Sequence, residues 1–296
     1  MILLTGATGF VGGHLLDALV DTFGSENIVA LTSKPITKCR FLLHNGYSYV
    51  DDFFIKTDFA DIDTIIHAGA FIPKSGAESN DILNCNSNIL STTRLITSTL
   101  HKIQKFIFLS TIDVYGCANT ITEDTVTEPI SLYGYSKLYC EKLITIWATQ
   151  KSLNHQILRI GHVYGPGEEK YKKIIPLTMQ RLLSGEPIQV YGEGNEIRSF
   201  IFISDVVKAI LESLKLERYV GAINIVGQEQ IRVRALIDKL ISISKIGPKI
   251  EKVQSSAKPR DFIFDNSKMR QILFKPETSL ADGLQEEWNY TKRLHS

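Results

Sequence analysis

The chain has 296 residues, 44% apolar and 22% charged, enough for one large or two modest domains with well-buried cores. Its net charge of +1, from 33 Lys and Arg against 32 Asp and Glu, gives no reason to expect nucleic acid or a membrane as partner. The four cysteines, Cys39, Cys85, Cys117 and Cys140, form no Cys-x-x-Cys pair, so no metal site and no disulfide framework is expected. With no signal-like start and no run of eighteen apolar residues, the expectation is a soluble, unprocessed cytoplasmic protein.

The chain begins with a short apolar run, Ile2 to Leu4, followed by Thr5-Gly6-Ala7-Thr8-Gly9-Phe10-Val11-Gly12-Gly13. His14 to Val20 then carries apolar residues at helical spacing, so the pattern predicts strand, tight turn, helix. Gly6, Gly9 and Gly12, with Phe10 and Val11 between them, leave backbone N–H groups unobstructed at a helix N-terminus, which is how a dinucleotide pyrophosphate is bound. The spacing is Gly-x-x-Gly-x-x-Gly and not the commoner Gly-x-Gly-x-x-Gly, but turn, close approach and helix packing have the same roles.

Asn27 to Leu31 reads as a second strand, ending in Thr32-Ser33-Lys34. An acidic residue usually stands here to bind the ribose of NAD, whereas hydroxyls and a cation suit a 2′-phosphate, so these residues favour NADP and leave NAD open. Residues 35–58 are less regular, with a short strand at Tyr47 to Val50; Asp58, which closes the segment, is counted with the cofactor residues. Asp63 to Ala70 predicts a fourth strand, and Ala68 and Gly69 at its end are small enough for a flat ligand to lie against the backbone. His67 reads as structural, since no partner at metal-ligand spacing accompanies it.

Asn88 to Leu100 predicts a helix, and Lys105 to Leu109 a strand that delivers Ser110, Thr111 and Asp113 at its C-terminal end. Strands alternating with helices predict an α/β fold, a Rossmann-type doubly wound parallel sheet with its ligand crevice at the strand C-termini. After a polar loop over 117–130 comes a helix on which Tyr133 and Lys137, four apart, share a face. Gln156 to Ile160 is another strand, and the Gly and Pro density of 161–167 predicts a domain change. The expected division is 1–165, binding the dinucleotide, and 166–296, a smaller α/β substrate-binding part, with some segments returning to the first. The second part reads as a helix near Ile174 to Ser184, a glycine turn at 192–195, a strand at Ser199 to Ile203 and a helix at Asp205 to Leu216. Its well-placed cations are Arg198 and Arg260, and guanidinium forks suit phosphate.

Together these motifs resemble the extended short-chain dehydrogenase/reductase family that acts on nucleotide sugars, comprising 4-epimerases, 4,6-dehydratases and 4-keto-sugar reductases. The resemblance runs through Thr5 to Gly12, Asn88 with Thr92, Ser110-Thr111 to Gly116, Tyr133 to Lys137, Val163 to Gly167, Arg198 to Ile201, Arg260, and Asp265 to Lys268. It implies that Tyr133 is the acid/base, that Lys137 holds the nicotinamide ribose, and that Thr111 hydrogen-bonds the reacting sugar oxygen. A neighbouring ammonium favours phenolate and brings a tyrosine nearer the working pH. The resemblance also implies that Arg198 and Arg260 bind the nucleotide pyrophosphate, and that the protein is a homodimer through a helix pair including the Tyr133 helix.

Two departures from the family pattern bear on the reaction. Dehydratases carry an Asp-Glu pair after the catalytic Thr, whereas here Ile112 and Asp113 follow Thr111; Ile112 moves no proton, and Asp113 is left as a substrate-contacting candidate. His162 stands where Asn usually precedes Val-Tyr-Gly-Pro-Gly, as in similar segments of 4-ketoreductases, and is also counted with the substrate residues. The leading expectation is therefore an NADPH-dependent reductase of a nucleotide-activated 4-keto-6-deoxyhexose. The alternative is a UDP-glucose 4-epimerase type of enzyme with tightly bound NAD. A remote third is a non-catalytic dinucleotide-binding protein.

Overall fold

The structure, a computed structural model, describes residues 1–44, 61–97, 103–254 and 260–295. In chain order the elements are β1 (Ile2–Thr5), α1 (Phe10–Phe23), β2 (Ile28–Thr32), β3 (Arg40–Leu43), β4 (Thr64–His67), α2 (Ile82–Thr97), β5 (Lys105–Thr111) and α3 (Leu132–Gln150). They continue as β6 (Asn154–Ile160), β7 (His162–Tyr164), α4 (Ile174–Ser184), β8 (Ile188–Tyr191), β9 (Ile197–Phe202), α5 (Ile203–Ser213) and β10 (Ile223–Ile225). The chain closes with β11 (Gln230–Arg232), α6 (Val233–Ser244), β12 (Ile250–Val253), α7 (Ser267–Ile272) and α8 (Leu280–His295).

The chain forms two compact units, the first made of Met1–Gly116, Val126–Ile160 and Val207–Asn224, the second of Cys117–Thr125, Gly161–Val206 and Ile225–Ser296. In the first, seven strands form a sheet in the order β10-β6-β5-β4-β1-β2-β3, and the pairings from β3 through β6 are all parallel. Parallel strands covered on both faces need apolar side chains at successive positions, and Ile2–Leu4 and Ile28–Leu31 are buried throughout. Leu3, Val29, Leu31, Ile65, Phe106 and Phe108 pack with Leu95 and Ile96 of α2 and with Cys140 and Ile144 of α3. β1 has β2 on one side and β4 on the other, so the strand order reverses there, and a ligand crevice belongs outside the C-terminal ends of such strands.

β3 and α2 differ from their sequence expectation, and β7 (His162–Tyr164) falls within the stretch read as a domain change. β3 occupies Arg40–Leu43, within the stretch read as irregular, because it is a largely exposed edge strand with no buried face to pattern it. α2 begins at Ile82, six residues before the expected start, since its first turn exposes Ile82 and Leu83 at 72% and 81% and so breaks the one-sided apolar pattern. The strand expected at Tyr47 to Val50, and Asp58, lie outside the described residues.

In the second unit β9 is the middle of a three-stranded sheet, antiparallel to β11 and parallel to β7, and β8 pairs with β12 in parallel. Ile175, Met179 and Leu182 of α4, Leu236 and Leu240 of α6, and Leu284 and Trp288 of α8 are buried where these three helices pack together. Among the described residues no helix is long and apolar enough to cross a membrane, and no group of three His, Cys, Asp or Glu is placed to hold a metal.

Candidate active site

The glycines after β1 fit together by backbone contact. A Cβ on Gly12 would lie 2.0 Å from the Gly6 carbonyl oxygen, and one on Gly6, whose φ is +74°, would lie 2.7 Å from the Gly69 backbone. The turn therefore needs both glycines, and it rests on Ala68–Gly69, which follow β4. Gly9 is the N-cap of α1, its N–H bonds the Gly6 carbonyl at 2.9 Å, and no side chain caps the helix or places a carboxylate in its first turn. That leaves the positive helix end without a competing anion of its own. Phe10 is buried and edge-on to His14 at 5.8 Å, so it anchors the helix start in the core; Val11 is half-buried. At the end of β2, Thr32 is buried with its hydroxyl 3.4 Å from Thr8 Oγ1, while Ser33 and Lys34 are exposed.

Thr111 ends β5 and is buried; its hydroxyl donates to Asp113 Oδ2 at 3.2 Å and accepts the Asp113 N–H at 3.2 Å. That pairing closes the turn Ile112–Val114, in which Ile112 is buried. α3 starts at a Ser131 N-cap that accepts the Gly134 N–H at 3.1 Å, and its face toward the sheet buries Tyr133, Ser136, Lys137, Cys140 and Glu141. Lys137 Nζ lies 4.1 Å from the centre of the Phe108 ring. Burial pulls its pKa down to about 8, against the opposing effects of Cys140 and Glu141.

Beside this group lies a buried network in which Glu141 and Arg159 were not singled out from the sequence. The Ser110 hydroxyl donates to Glu141 Oε1 at 2.5 Å, and Arg159 reaches both Glu141 oxygens, at 3.0 and 2.8 Å. Arg159 also donates to the Tyr115 hydroxyl, which donates to Asn224 Oδ1, both at 2.7 Å. The Ser110 hydroxyl, counted with the cofactor residues, is thus engaged with Glu141. Glu141 could have been found one turn beyond Lys137 on the same face, and Arg159 as the lone cation within a buried strand.

In the second unit His162, Arg198 and Arg260 gather around Phe262. The His162 ring is 5.1 Å from Phe262, and the Arg198 and Arg260 guanidiniums lie over that ring at 5.2 and 4.2 Å. Burial, together with the charges of Arg198 and Lys173, holds His162 down to about 3, so it is an uncharged imidazole. Arg198 is oriented by the carbonyls of Ile197 and Arg260, at 2.9 and 2.6 Å. Two guanidiniums against one aromatic ring make a site suited to an anionic group. Phe262 also went unread, although its alternation with Arg260 and Phe264 is a strand-like signal.

Residues 2–226 match the NAD dependent epimerase/dehydratase family. The chain belongs to that family. It is 30% identical to an uncharacterized UDP-glucose epimerase, YtcB, of Bacillus subtilis, with 99% of this chain and 98% of the relative covered. It is 27% identical to a dTDP-4-dehydro-6-deoxy-D-allose reductase of Streptomyces, covering 99% and 96%. Among solved structures it is similar to the UDP-glucuronic acid 4-epimerase of Bacillus cereus in complex with UDP-glucuronic acid and NAD, with a TM-score of 0.85, 27% identity and 99% of both chains covered. The chain is accordingly an NAD-dependent enzyme of the extended short-chain dehydrogenase/reductase type. The glycine turn fits the dinucleotide that the family uses, since it brings a helix N-terminus with no side-chain cap to the strand end, and a Cβ at Gly6 or Gly12 would strike backbone and deform it.

Proposed function

We propose that the protein is a nucleotide-sugar 4-epimerase that acts on a UDP-hexose or its uronic acid and keeps its NAD bound through the cycle. The observation that carries this reading is the end-to-end likeness to a solved 4-epimerase, and YtcB supports it by name. The 4-ketoreductase, ranked first on sequence, becomes the second reading.

The roles fall on residues of this chain. Backbone N–H groups at Phe10, Val11 and Gly12, the first turn of α1, would hold the pyrophosphate of the dinucleotide, while Gly6 and Gly9, whose N–H groups go to the carbonyls of Leu31 and Gly6, shape the turn beneath it; Ser33 and Lys34 would meet its adenosine ribose, and Ala68 and Gly69 would flank it. NAD, when bound, supplies the acceptor and then the donor of the C4 hydride. Tyr133 takes the proton of the C4 hydroxyl and returns it, and the Lys137 ammonium favours its phenolate while holding the nicotinamide ribose. Thr111 donates its hydroxyl hydrogen to Asp113 Oδ2 in this structure and would turn it to the C4 oxygen of a bound sugar, while the Asp113 N–H continues to hold the threonine oxygen. Arg198 and Arg260 hold the substrate pyrophosphate, and neutral His162 adds an uncharged contact beside them. Buried Ile112 supplies no acid, so dehydration at C6 has no proton donor there.

The first unit is thereby assigned the dinucleotide and the second the nucleotide half of the substrate, in a cytoplasmic enzyme. Exposed apolar residues of α2 (Ile82, Leu83, Leu90) and α3 (Leu132, Tyr135, Tyr139, Ile146) support a homodimer through this helix pair.

The second reading, an NADPH-dependent 4-ketoreductase, is favoured by one observation. β2 is followed by exposed Ser33 and Lys34, with no carboxylate among Thr32, Ser33 and Lys34. An epimerase regenerates its cofactor and gains by never releasing it, whereas a reductase exchanges it. Denaturing the freshly purified protein and identifying the released dinucleotide by chromatography with mass detection separates the two. Near-stoichiometric NAD is expected; protein that carries none and takes up NADPH more tightly than NADH would transfer the proposal to the reductase.

A further inference from the structure

His67 ends β4 and is only 1% exposed, and its neighbours determine which ring nitrogen carries the hydrogen. The Thr92 hydroxyl donates to the Asn88 carbonyl at 2.8 Å, so toward His67 Nε2, 3.0 Å away, it can only accept. Nε2 therefore bears the hydrogen. Nδ1 of the neutral ring is then an acceptor; it takes the Thr5 hydroxyl at 2.7 Å, and Thr5 Oγ1 accepts the Gly69 N–H at 2.8 Å. The ring is kept neutral by burial and by the Lys137 charge, which together hold it down to about 3.

The run continues through Asn88. Its Oδ1 accepts the Phe71 N–H at 2.7 Å, and its Nδ2 donates to the Phe71 carbonyl at 3.2 Å and to Ser136 Oγ at 3.3 Å. Ser136 in turn donates to the Tyr133 carbonyl at 2.8 Å. One end of this polar run is thus the backbone at Thr5 and Gly69, where Gly6 of the phosphate turn packs. The other end is the turn of α3 that lies between Tyr133 and Lys137.

We propose that His67 is a positioning residue, a neutral imidazole locked as its Nε2–H tautomer, which ties the backbone that cradles the dinucleotide to the helix turn that carries Tyr133 and Lys137. The tie rests on the reading of Tyr133 as the acid/base. It does two things. It fixes the helix turn and the glycine turn in one hydrogen-bonded frame, and it fills the space near Lys137 with an uncharged ring. A cationic side chain there would repel the ammonium on which the Tyr133 phenolate depends.

The test has two parts, and the first needs no activity. In ¹⁵N-histidine NMR of the whole protein, with His67 assigned by its loss in His67→Gln, we expect a protonated Nε2 and an unprotonated Nδ1 that do not change from about pH 5.5 to 8. An Nδ1–H tautomer, or a ring that titrates in that range, overturns the proposal. The second part uses Thr92→Val, which removes the acceptor at nearly constant volume, and Thr92→Ser, which restores it. Thr92→Val is expected to lower kcat at least tenfold with an unchanged KM and to displace the pH profile of kcat, and Thr92→Ser to recover both. Wild-type kcat and pH profile in Thr92→Val overturn the positioning role. If the wild-type enzyme turns over no nucleotide sugar, the Tyr133 reading fails, and the tautomer measurement still decides whether His67 is locked.

Discussion

A Cβ on Gly134 would lie 2.3 Å from the carbonyl oxygen of Asp113, so the first turn of α3 rests directly on the turn that follows Thr111. The contact fixes the distance between the residues proposed to hold and to deprotonate the sugar oxygen. Gly134→Ala, although favourable for an isolated helix, must push α3 away from that carbonyl. A displacement of about an ångström can cost on the order of 100-fold in rate. We expect kcat to fall between about 10-fold and 100-fold with the fold and the bound dinucleotide retained, read from steady-state kinetics beside circular dichroism.

Tyr133→Phe removes the proposed acid/base and leaves the packing of its ring. General acid–base catalysis contributes roughly 10²- to 10⁴-fold, so kcat should drop by that factor. Dinucleotide content, measured after denaturation, should stay near that of the wild type. Substantial residual turnover would remove Tyr133 from its assigned role.

The Glu141–Arg159 pair is buried and bidentate, so losing one member strands the other charge. Arg159→Leu alone should cost about 3–5 kcal/mol, whereas Glu141→Met with Arg159→Leu should recover much of that loss. Denaturant unfolding of both variants measures the difference. A single variant as stable as the double would show that Glu141 finds another partner.

Two buried carboxyls make stability depend on pH. Burial pushes Glu168 up to about 7 and Glu287 up to about 9; Lys173 opposes this at Glu168, and Glu168 adds to it at Glu287. Unfolded, both titrate near 4.3. The folded chain thus keeps protons that the unfolded chain has released. This contribution to stability is complete below about pH 4 and is lost as pH rises through 7 to 9. Glu287→Gln, which cannot ionise, should raise Tm by several degrees at about pH 8.5 and by much less at about pH 5. Equal shifts at both values would show that Glu287 does not carry the pH dependence.

The parallel sheet could be read from the chain because Ile2–Leu4, Ile28–Leu31 and Phe106–Leu109 are buried on both faces and so form uninterrupted apolar runs. β3 could not, because an exposed edge strand has no buried face to leave a pattern. The glycine turn was legible for a physical reason: Gly6 and Gly12 occupy positions where any Cβ collides with backbone. Glu141 and Arg159 were missed because their pairing joins a helix to a strand 18 residues away, which neither periodicity contains. The order of the two reactions was not legible at all. Thr111, Tyr133 and Lys137 serve an epimerase and a reductase alike, and the difference lies in whether the dinucleotide leaves.

The most direct measurement is of turnover at C4 without added cofactor. The purified protein is incubated with UDP-glucose or UDP-glucuronic acid alone, and the products are resolved by proton NMR of the anomeric signals. The account predicts the C4 epimer, approaching an equilibrium mixture from either side with no dinucleotide supplied. No epimer from either substrate, together with NADPH-dependent consumption of a nucleotide-activated 4-keto-6-deoxyhexose, would contradict it.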